Sequence, residues 1–167
     1  ISIPFFILAL VIHEYSHGWV ANKLGDPTAK RSGRLTFNPI AHIDPIGTII
    51  LPVFLLLAHS PVVLGWAKPV PVNFSYLKNP KEDMFWVSLA GPFANFLAAV
   101  ILALLIKIPF ISNIELLKLI FSQLIMMNVV LAVFNLFPVP PLDGSRIMFS
   151  VLPDNLARAY IKLEPYG

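Results

Sequence analysis

The sequence predicts an all-α polytopic membrane protein with about three long transmembrane helices, a re-entrant or partial segment and a short extended or β element. Hydrophobic residues make up 57% of the 167 residues and charged residues only 13%, against about 45–50% and about 25% in soluble domains. Long apolar runs alternate with short polar connections, as expected for membrane-spanning helices. We therefore expect a single membrane-embedded core over residues 1–167, with flanking segments missing at both ends.

The first apolar run, residues 1–24, predicts one transmembrane helix. A helix of about 24 residues is about 36 Å long and can cross a hydrocarbon core of about 30 Å. Gly25 and Pro27 mark its end. The connection 26–45 that follows is rich in basic residues, so the positive-inside rule places it in the cytoplasm. Alternation of residue types at 34–37 predicts a short strand there.

Prolines interrupt the middle of the chain. Residues 46–64 are apolar but contain Pro52 and Pro61, which predicts a segment that enters the membrane and returns, or crosses it only in part. Residues 65–73 are too rich in proline for a helix, so we expect an extended segment near the membrane surface.

The second half of the chain is predicted to contain two long helices and two short ones. Residues 84–107 and 114–137 are apolar runs of membrane-spanning length. The connection between them is short, which makes them an antiparallel pair. Residues 145–152 and 155–163 are expected to form short helices, the second of them amphipathic and interfacial.

The composition excludes several kinds of site. The chain has no Cys, which excludes disulfides, cysteine nucleophiles and thiolate metal ligands. Its net charge of +3 at pH 7 fits basic loops that face the cytoplasm. No interleaving of basic and aromatic residues suggests a nucleic-acid surface. The expected surroundings are the lipid bilayer, and no nucleic-acid partner is expected.

The pattern His13-Glu14-Tyr15-Ser16-His17 lies inside the first apolar run, where a charged side chain is costly unless something compensates it. His13 and His17 are four residues apart, so both imidazoles face one side of a helix and can bind one ion. A catalytic zinc needs three protein ligands, and without Cys the third is expected to be a carboxylate. Glu14 is turned by about 100° from His13, in the position of a general base for the attacking water.

Asp143 follows directly after the last long apolar run. An ionisable residue at a membrane segment is a candidate for function, so we expect Glu14 and Asp143 to serve the same site. Asp143 must then emerge on the same side of the membrane as His13 and His17. The chain meets this requirement if residues 46–64 enter and leave on the cytoplasmic side, and fails it if they cross fully.

Other interpretations remain open at this point. A metal or proton transporter could use the same His, Glu and Asp residues, and a zinc-bound scaffold without catalysis is a third possibility. A different membrane protease with the HExxH pattern would need a downstream Glu as its third ligand. The candidates are Glu82, Glu115 and Glu164, all in loops or near the predicted ends of apolar segments.

Three sequence motifs occur in a characteristic order: HEYSH at 13–17, GPFAN at 91–95 and NLFPVPPLDG at 135–144. Together they resemble the site-2 protease family of zinc intramembrane metalloproteases. The connecting stretches 38–45 and 65–73 are similar to those of a compact prokaryotic branch of that family. The resemblance covers nearly the whole chain.

The resemblance implies that His13, His17 and Asp143 bind zinc and that Glu14 is the catalytic base. It also implies hydrolysis of a peptide bond within or near a transmembrane segment of a substrate protein, which is regulated intramembrane proteolysis. The protein is then expected to be an integral protein of a prokaryotic plasma membrane, with its active site toward the cytoplasmic side.

Three asparagines lie in the two predicted later helices. Asn128 and Asn135 are seven residues apart and share one helix face, and Asn95 lies on the neighbouring helix. Hydrogen bonds between helices are the favoured interpretation. The alternative is a substrate-binding role, in which Asn135, the asparagine nearest Asp143, orients the substrate backbone or the ligand loop.

Overall fold

The computed structural model describes residues 3–60 and 65–160, which contain helices and irregular connections but no strand. Its main helices are α1 (Ile3–Leu24), α2 (Pro45–Leu57), α3 (Pro80–Leu105), α4 (Glu115–Asn135), α5 (Asp143–Val151) and α6 (Asp154–Tyr160). Short helical turns occur at Thr28–Arg31, Pro39–His42, Phe74–Tyr76 and Pro109–Ser112. The helices α1, α3 and α4 are long and apolar enough to cross a membrane, which confirms the prediction of three such helices in an integral membrane protein.

The observed helix ends differ from the predicted ones by a few residues. Helix α3 begins at Pro80, four residues before the apolar run, and ends at Leu105. Proline at the first position and the acidic Glu82 and Asp83 in the first turn favour this earlier start. Helix α5 begins at Asp143 rather than at residue 145, so the predicted metal ligand stands at a helix N-terminus.

The short strand predicted at 34–37 is wrong, because residues 35–37 form bends and none of these four residues is assigned to a strand. Their side chains act instead as contacts between segments. The Arg34 guanidinium donates hydrogen bonds to the backbone oxygens of Lys68 and Pro69, at 3.1 and 3.2 Å. Phe37 stacks on Tyr15 of α1, with ring centroids 3.9 Å apart. The alternation therefore reflects side-chain contacts and not sheet formation.

Helix α2 is short. It begins as a six-residue π-helical segment and continues for seven residues as an α-helix, a total length of about 20 Å against about 30 Å of hydrocarbon. Asp44 caps it by accepting hydrogen bonds from the N–H groups of Ile46 and Gly47, at 3.0 and 2.7 Å. Residues 61–64 lie outside the described residues, so the re-entrant path of 46–64 stays a prediction.

Helix α3 is central, since it packs against α1, α4 and α5. Val87, Gly91, Asn95 and Ala99 form a buried row along it at four-residue spacing. Residues at this spacing share one face of a helix. This row carries a glycine at its middle, which brings the backbone of α3 close to α1 at the level of the two histidines.

Residues 65–73, for which an extended segment is expected, are assigned neither to a helix nor to a strand. The backbone N–H groups of Trp66, Lys68 and Val70 donate hydrogen bonds to other parts of the protein. In an extended chain alternate N–H groups point to the same edge, and the extended conformation of 65–73 stays a prediction. Pairing with a β-strand is not observed for this segment in the described part of the chain.

Candidate metal centre

The structure brings His13, His17 and Asp143 together, although 126 residues separate His17 from Asp143. The Nε2 atoms of the two histidines are 3.0 Å apart. The Oδ2 atom of Asp143 lies 3.0 Å from Nε2 of His13 and 3.1 Å from Nε2 of His17. Both histidines are buried. Within the described ranges, these residues form the one group of three or more His, Cys, Asp or Glu side chains able to hold a metal ion.

The other nitrogen of each histidine donates to a fixed acceptor. Nδ1 of His13 lies 2.7 Å from the Asn95 side-chain oxygen, and Nδ1 of His17 lies 2.7 Å from the Val87 backbone oxygen. Oxygens of this kind only accept, so each Nδ1 carries a proton, and in its neutral form each ring presents a lone pair at Nε2. A ligand histidine whose other N–H binds a carbonyl or amide oxygen is the usual arrangement in metal sites.

The orientation of Asn95 is itself determined by its neighbours. Its amide nitrogen donates to the backbone oxygen of Ala9 at 2.9 Å and to the side-chain oxygen of Asn128 at 2.8 Å. Because both partners only accept here, the Asn95 oxygen must face His13. The resulting chain of hydrogen bonds joins α1, α3 and α4 behind the candidate ligands.

The three converging atoms fit a bound divalent cation. Two imidazole nitrogens and a carboxylate oxygen lie within 3.1 Å of one another, a spacing that a shared proton or a metal ion between them makes favourable. Tetrahedral zinc with bonds of about 2.0–2.1 Å places its ligand atoms about 3.3 Å apart. Small outward movements would convert the observed spacing into that geometry. The set of two nitrogens and one oxygen is one that zinc accepts.

Gly91 makes room for the candidate ligands. A Cβ atom built at Gly91 would lie 2.4 Å from Nε2 of His17 and 2.8 Å from Nε2 of His13. Any side chain at this position of α3 would therefore overlap the space where the ligand atoms converge. The sequence shows Gly91 only as part of a motif, and its contact with the histidines emerges from the helix packing.

Glu14 lies beside the three candidate ligands and is not one of them. Its Oε2 atom accepts a hydrogen bond from the backbone N–H of Val70 at 2.7 Å. His13 and Glu14 line a cleft of about 340 Å³, together with Gly65 and Ala67 from the 65–73 segment. A carboxylate at the mouth of a metal centre, open to a cleft, is placed to exchange protons with water there.

The two asparagines named for substrate binding or structure have different positions. Asn95 is fully buried and holds His13, which favours its structural role. Asn135 lines the cleft, and its amide nitrogen donates to the backbone oxygen of Leu131 at 3.1 Å. The substrate-binding prediction for Asn135 stays a prediction. Glu82 and Glu115 lie outside the cluster, and Glu164 is outside the described residues.

Comparison with known proteins agrees with the geometry. The profile of Peptidase family M50 matches residues 111–161, a range that includes Asp143. YwhC of Bacillus subtilis, named as a candidate zinc metalloprotease, is 39% identical over 175 residues, which cover 98% of this chain and 76% of that protein. The chain belongs to peptidase family M50. This is the site-2 protease family that the motifs resemble, and membership identifies the chain as a metalloprotease.

Other relatives of this M50 peptidase are longer proteins. Rip2 of Mycolicibacterium smegmatis is 28% identical over 97% of this chain and 61% of its own length. Zinc metalloprotease MJ0392 of Methanocaldococcus jannaschii is 36% identical over 87% of this chain and 32% of its own length. The chain thus spans less than two thirds of these two relatives. No solved structure matches it significantly.

Proposed function

We propose that this chain is the catalytic core of a zinc metalloprotease that hydrolyses a peptide bond within or near a transmembrane segment of a substrate protein. His13, His17 and Asp143 hold the zinc ion, and Glu14 is the catalytic base. The observation that carries the proposal is the convergence of three metal-binding atoms between helices long and apolar enough to span a membrane. Such a site acts on peptide bonds at membrane depth.

The residues divide the chemistry between them. When bound, zinc supplies a Lewis acid that polarises the peptide carbonyl and lowers the pKa of water to about 7. Glu14 takes a proton from the attacking water and delivers it to the leaving amine. Asn95 keeps His13 in the tautomer whose Nε2 lone pair faces the cluster. The backbone oxygen of Val87 does the same for His17.

The lining of the cleft supports a proposal for how a substrate is presented. A helical substrate hides its carbonyl groups in hydrogen bonds, so it must unwind locally before attack. The N–H of Ala67, which lines the cleft, has no hydrogen-bond partner among the described residues. In an extended chain it points opposite to the bonded N–H groups of Trp66 and Lys68. An unwound substrate segment can add to this edge as a strand.

The same features support a proposal for the membrane setting of the site. Basic residues such as Lys30 and Arg31 lie in the connection that follows α1, which supports a cytoplasmic position for that connection. His17 lies nearer this end of α1 than the other. We place the site toward the cytoplasmic side of a prokaryotic plasma membrane, where its substrate is a transmembrane protein. Cleavage there amounts to regulated intramembrane proteolysis.

The test uses full-length protein in lipid vesicles that carry a transmembrane reporter. The variant Glu14→Gln should retain zinc at the wild-type level and lose reporter cleavage, because the amide cannot take a proton. The variant Asp143→Ala should lose zinc. Glu82→Gln, on the exposed start of α3, is the control and should behave as wild type. Normal cleavage by Glu14→Gln, or full zinc content in Asp143→Ala, would refute the assigned roles.

The same vesicles test the transporter alternative. If wild-type protein moves zinc or protons across the vesicle membrane and cleaves no reporter, the cluster serves transport and the proposed hydrolysis is wrong. A protease should cleave the reporter and give no ion flux above that of empty vesicles.

A further inference from the structure

We infer that the backbone N–H of Val70 is a positioning group for Glu14, which fixes the orientation of the base and links it to the segment that lines the cleft. The inference rests on the proposed function and goes beyond it, since it assigns a role to the 65–73 segment in addition to substrate contact. Within the described part of the chain, this N–H is the sole hydrogen-bond donor to Glu14.

The local sequence allows one donor at this place. Val70 lies between Pro69 and Pro71, and proline has no N–H group. Val70 therefore carries the only backbone donor of the three residues. Pro71 restricts Val70 to extended conformations, and the ring of Pro69 fixes its own φ angle. The direction of the Val70 N–H is thus restricted before the segment meets Glu14.

Contacts on both sides hold the segment in place. On one side, the N–H of Lys68 donates to the backbone oxygen of His42 at 3.0 Å, and the Arg34 guanidinium binds the Lys68 oxygen at 3.1 Å. On the other side, the N–H of Asn73 donates to the Asp26 carboxylate at 2.7 Å. Asp26 is fully buried. The Val70 amide is therefore attached to the body of the protein and is not part of a freely moving loop.

The side chain of Val70 fixes the same register on α1. Val70 is buried and packs where Gly18 leaves space, since a Cβ atom at Gly18 would lie 2.9 Å from Cγ1 of Val70. Gly18 is four residues after Glu14 and shares its helix face. The segment thus contacts this face of α1 twice, once through the Glu14 carboxylate and once at Gly18.

This arrangement leaves one carboxylate oxygen for chemistry. With Oε2 bound to the Val70 N–H, Oε1 of Glu14 has no protein donor among the described residues. A glutamate held in this way does not lose side-chain freedom when the reaction begins, which favours turnover. Gly65 and Ala67 of the same segment line the cleft, so one segment both faces the cleft and holds the base through Val70.

The chain offers a matched pair of substitutions. Val70 and Val72 both follow a proline, but the N–H of Val72 has no hydrogen-bond partner within the described ranges. Val70→Pro removes the donor to Glu14, whereas Val72→Pro removes a donor that binds nothing there. Reporter cleavage in vesicles gives kcat and KM for each variant, and zinc content is measured on the same samples.

Val70→Pro should lower kcat about 10- to 100-fold, the usual effect of losing a hydrogen bond to a charged group, with KM changed less than about threefold and zinc retained. Val72→Pro should keep the wild-type kcat. If the segment serves only to bind substrate, Val70→Pro should instead raise KM and leave kcat unchanged. Equal kcat values for the two variants would overturn the inference.

A second pair of variants avoids the proline ring. Replacing the backbone amide of residue 70 or 72 by an ester removes the N–H and keeps the valine side chain. The ester at 70 should lower kcat and the ester at 72 should not. If the wild-type protein cleaves the reporter and both ester variants are equally active, the role of Val70 is refuted and the proposed function is not. Wild-type protein that binds zinc and cleaves nothing would refute the proposed function as well.

Discussion

Replacing Asn95 by leucine tests whether the hydrogen bond from His13 to Asn95 supports metal binding. Leucine has the same branching and the same number of side-chain heavy atoms as asparagine, so much of the side-chain shape is kept while every polar contact is lost. Nδ1 of His13 loses its acceptor at 2.7 Å. The backbone oxygen of Ala9 and the side-chain oxygen of Asn128 each lose a donor.

The penalty should fall mainly on the zinc-bound state. Without zinc, His13 can move its proton to Nε2 and donate to Asp143, whose Oδ2 atom is 3.0 Å away. With zinc bound, Nε2 is committed to the metal and the proton must stay on Nδ1, where it has no partner in the variant. A buried unpaired donor costs about 1–3 kcal/mol. Loss of such a second contact lowers metal affinity about 10- to 100-fold, or about 1.4–2.7 kcal/mol.

Competition with a fluorescent chelator measures the zinc dissociation constant of each variant in detergent. Asn95→Leu should weaken zinc binding about 10- to 100-fold. Asn128→Leu is the matched control, because it leaves the Asn95 oxygen on His13, and it should change the affinity less than about threefold. An affinity for Asn95→Leu within twofold of wild type would refute the reasoning. Equal losses in both variants would show that the effect comes from packing between helices.

Three further outcomes are expected. Gly91→Ala should bind little zinc, since its Cβ atom would lie 2.4 Å from Nε2 of His17; stoichiometric zinc in the purified variant would contradict this. Asp26→Ala should lower the thermal midpoint of unfolding and leave zinc content unchanged, because the N–H groups of Thr28 and Asn73 lose their acceptor. Each hydrogen bond to a charged group contributes about 1.5–3 kcal/mol. An unchanged midpoint would refute the stabilising role of Asp26. Removing zinc with a chelator should abolish cleavage and lower the midpoint of unfolding. Zinc added back at 100 times its dissociation constant should restore about 2.7 kcal/mol of stability. A midpoint independent of zinc would show that the ion does not bind the folded state.

Local patterns account for the features that the sequence determined. The long helices follow from apolar runs, because the bilayer admits few structures besides helices with satisfied backbones. His13 and His17 share a face because four residues make about one helical turn. The choice of Asp143 also came from the sequence, since the chain has no Cys and few acids lie next to apolar runs. The wrong prediction of a strand at 34–37 shows that alternation of residue types over only four residues is too short a pattern to predict a strand.

The tertiary structure decided everything that depends on how the helices dock. An asparagine in a membrane helix can bind any polar neighbour, and only the rotation of α3 against α1 selects His13 as the partner of Asn95. The same rotation brings Gly91 beneath the two histidines. The bond from Val70 to Glu14 joins residues 56 positions apart, and its path depends on contacts along the whole 65–73 segment. Sequence spacing and composition thus determined which side chains could bind a metal, because both are properties of the chain alone. Packing determined which groups hold those side chains in position, because docking acts between elements that are distant in sequence.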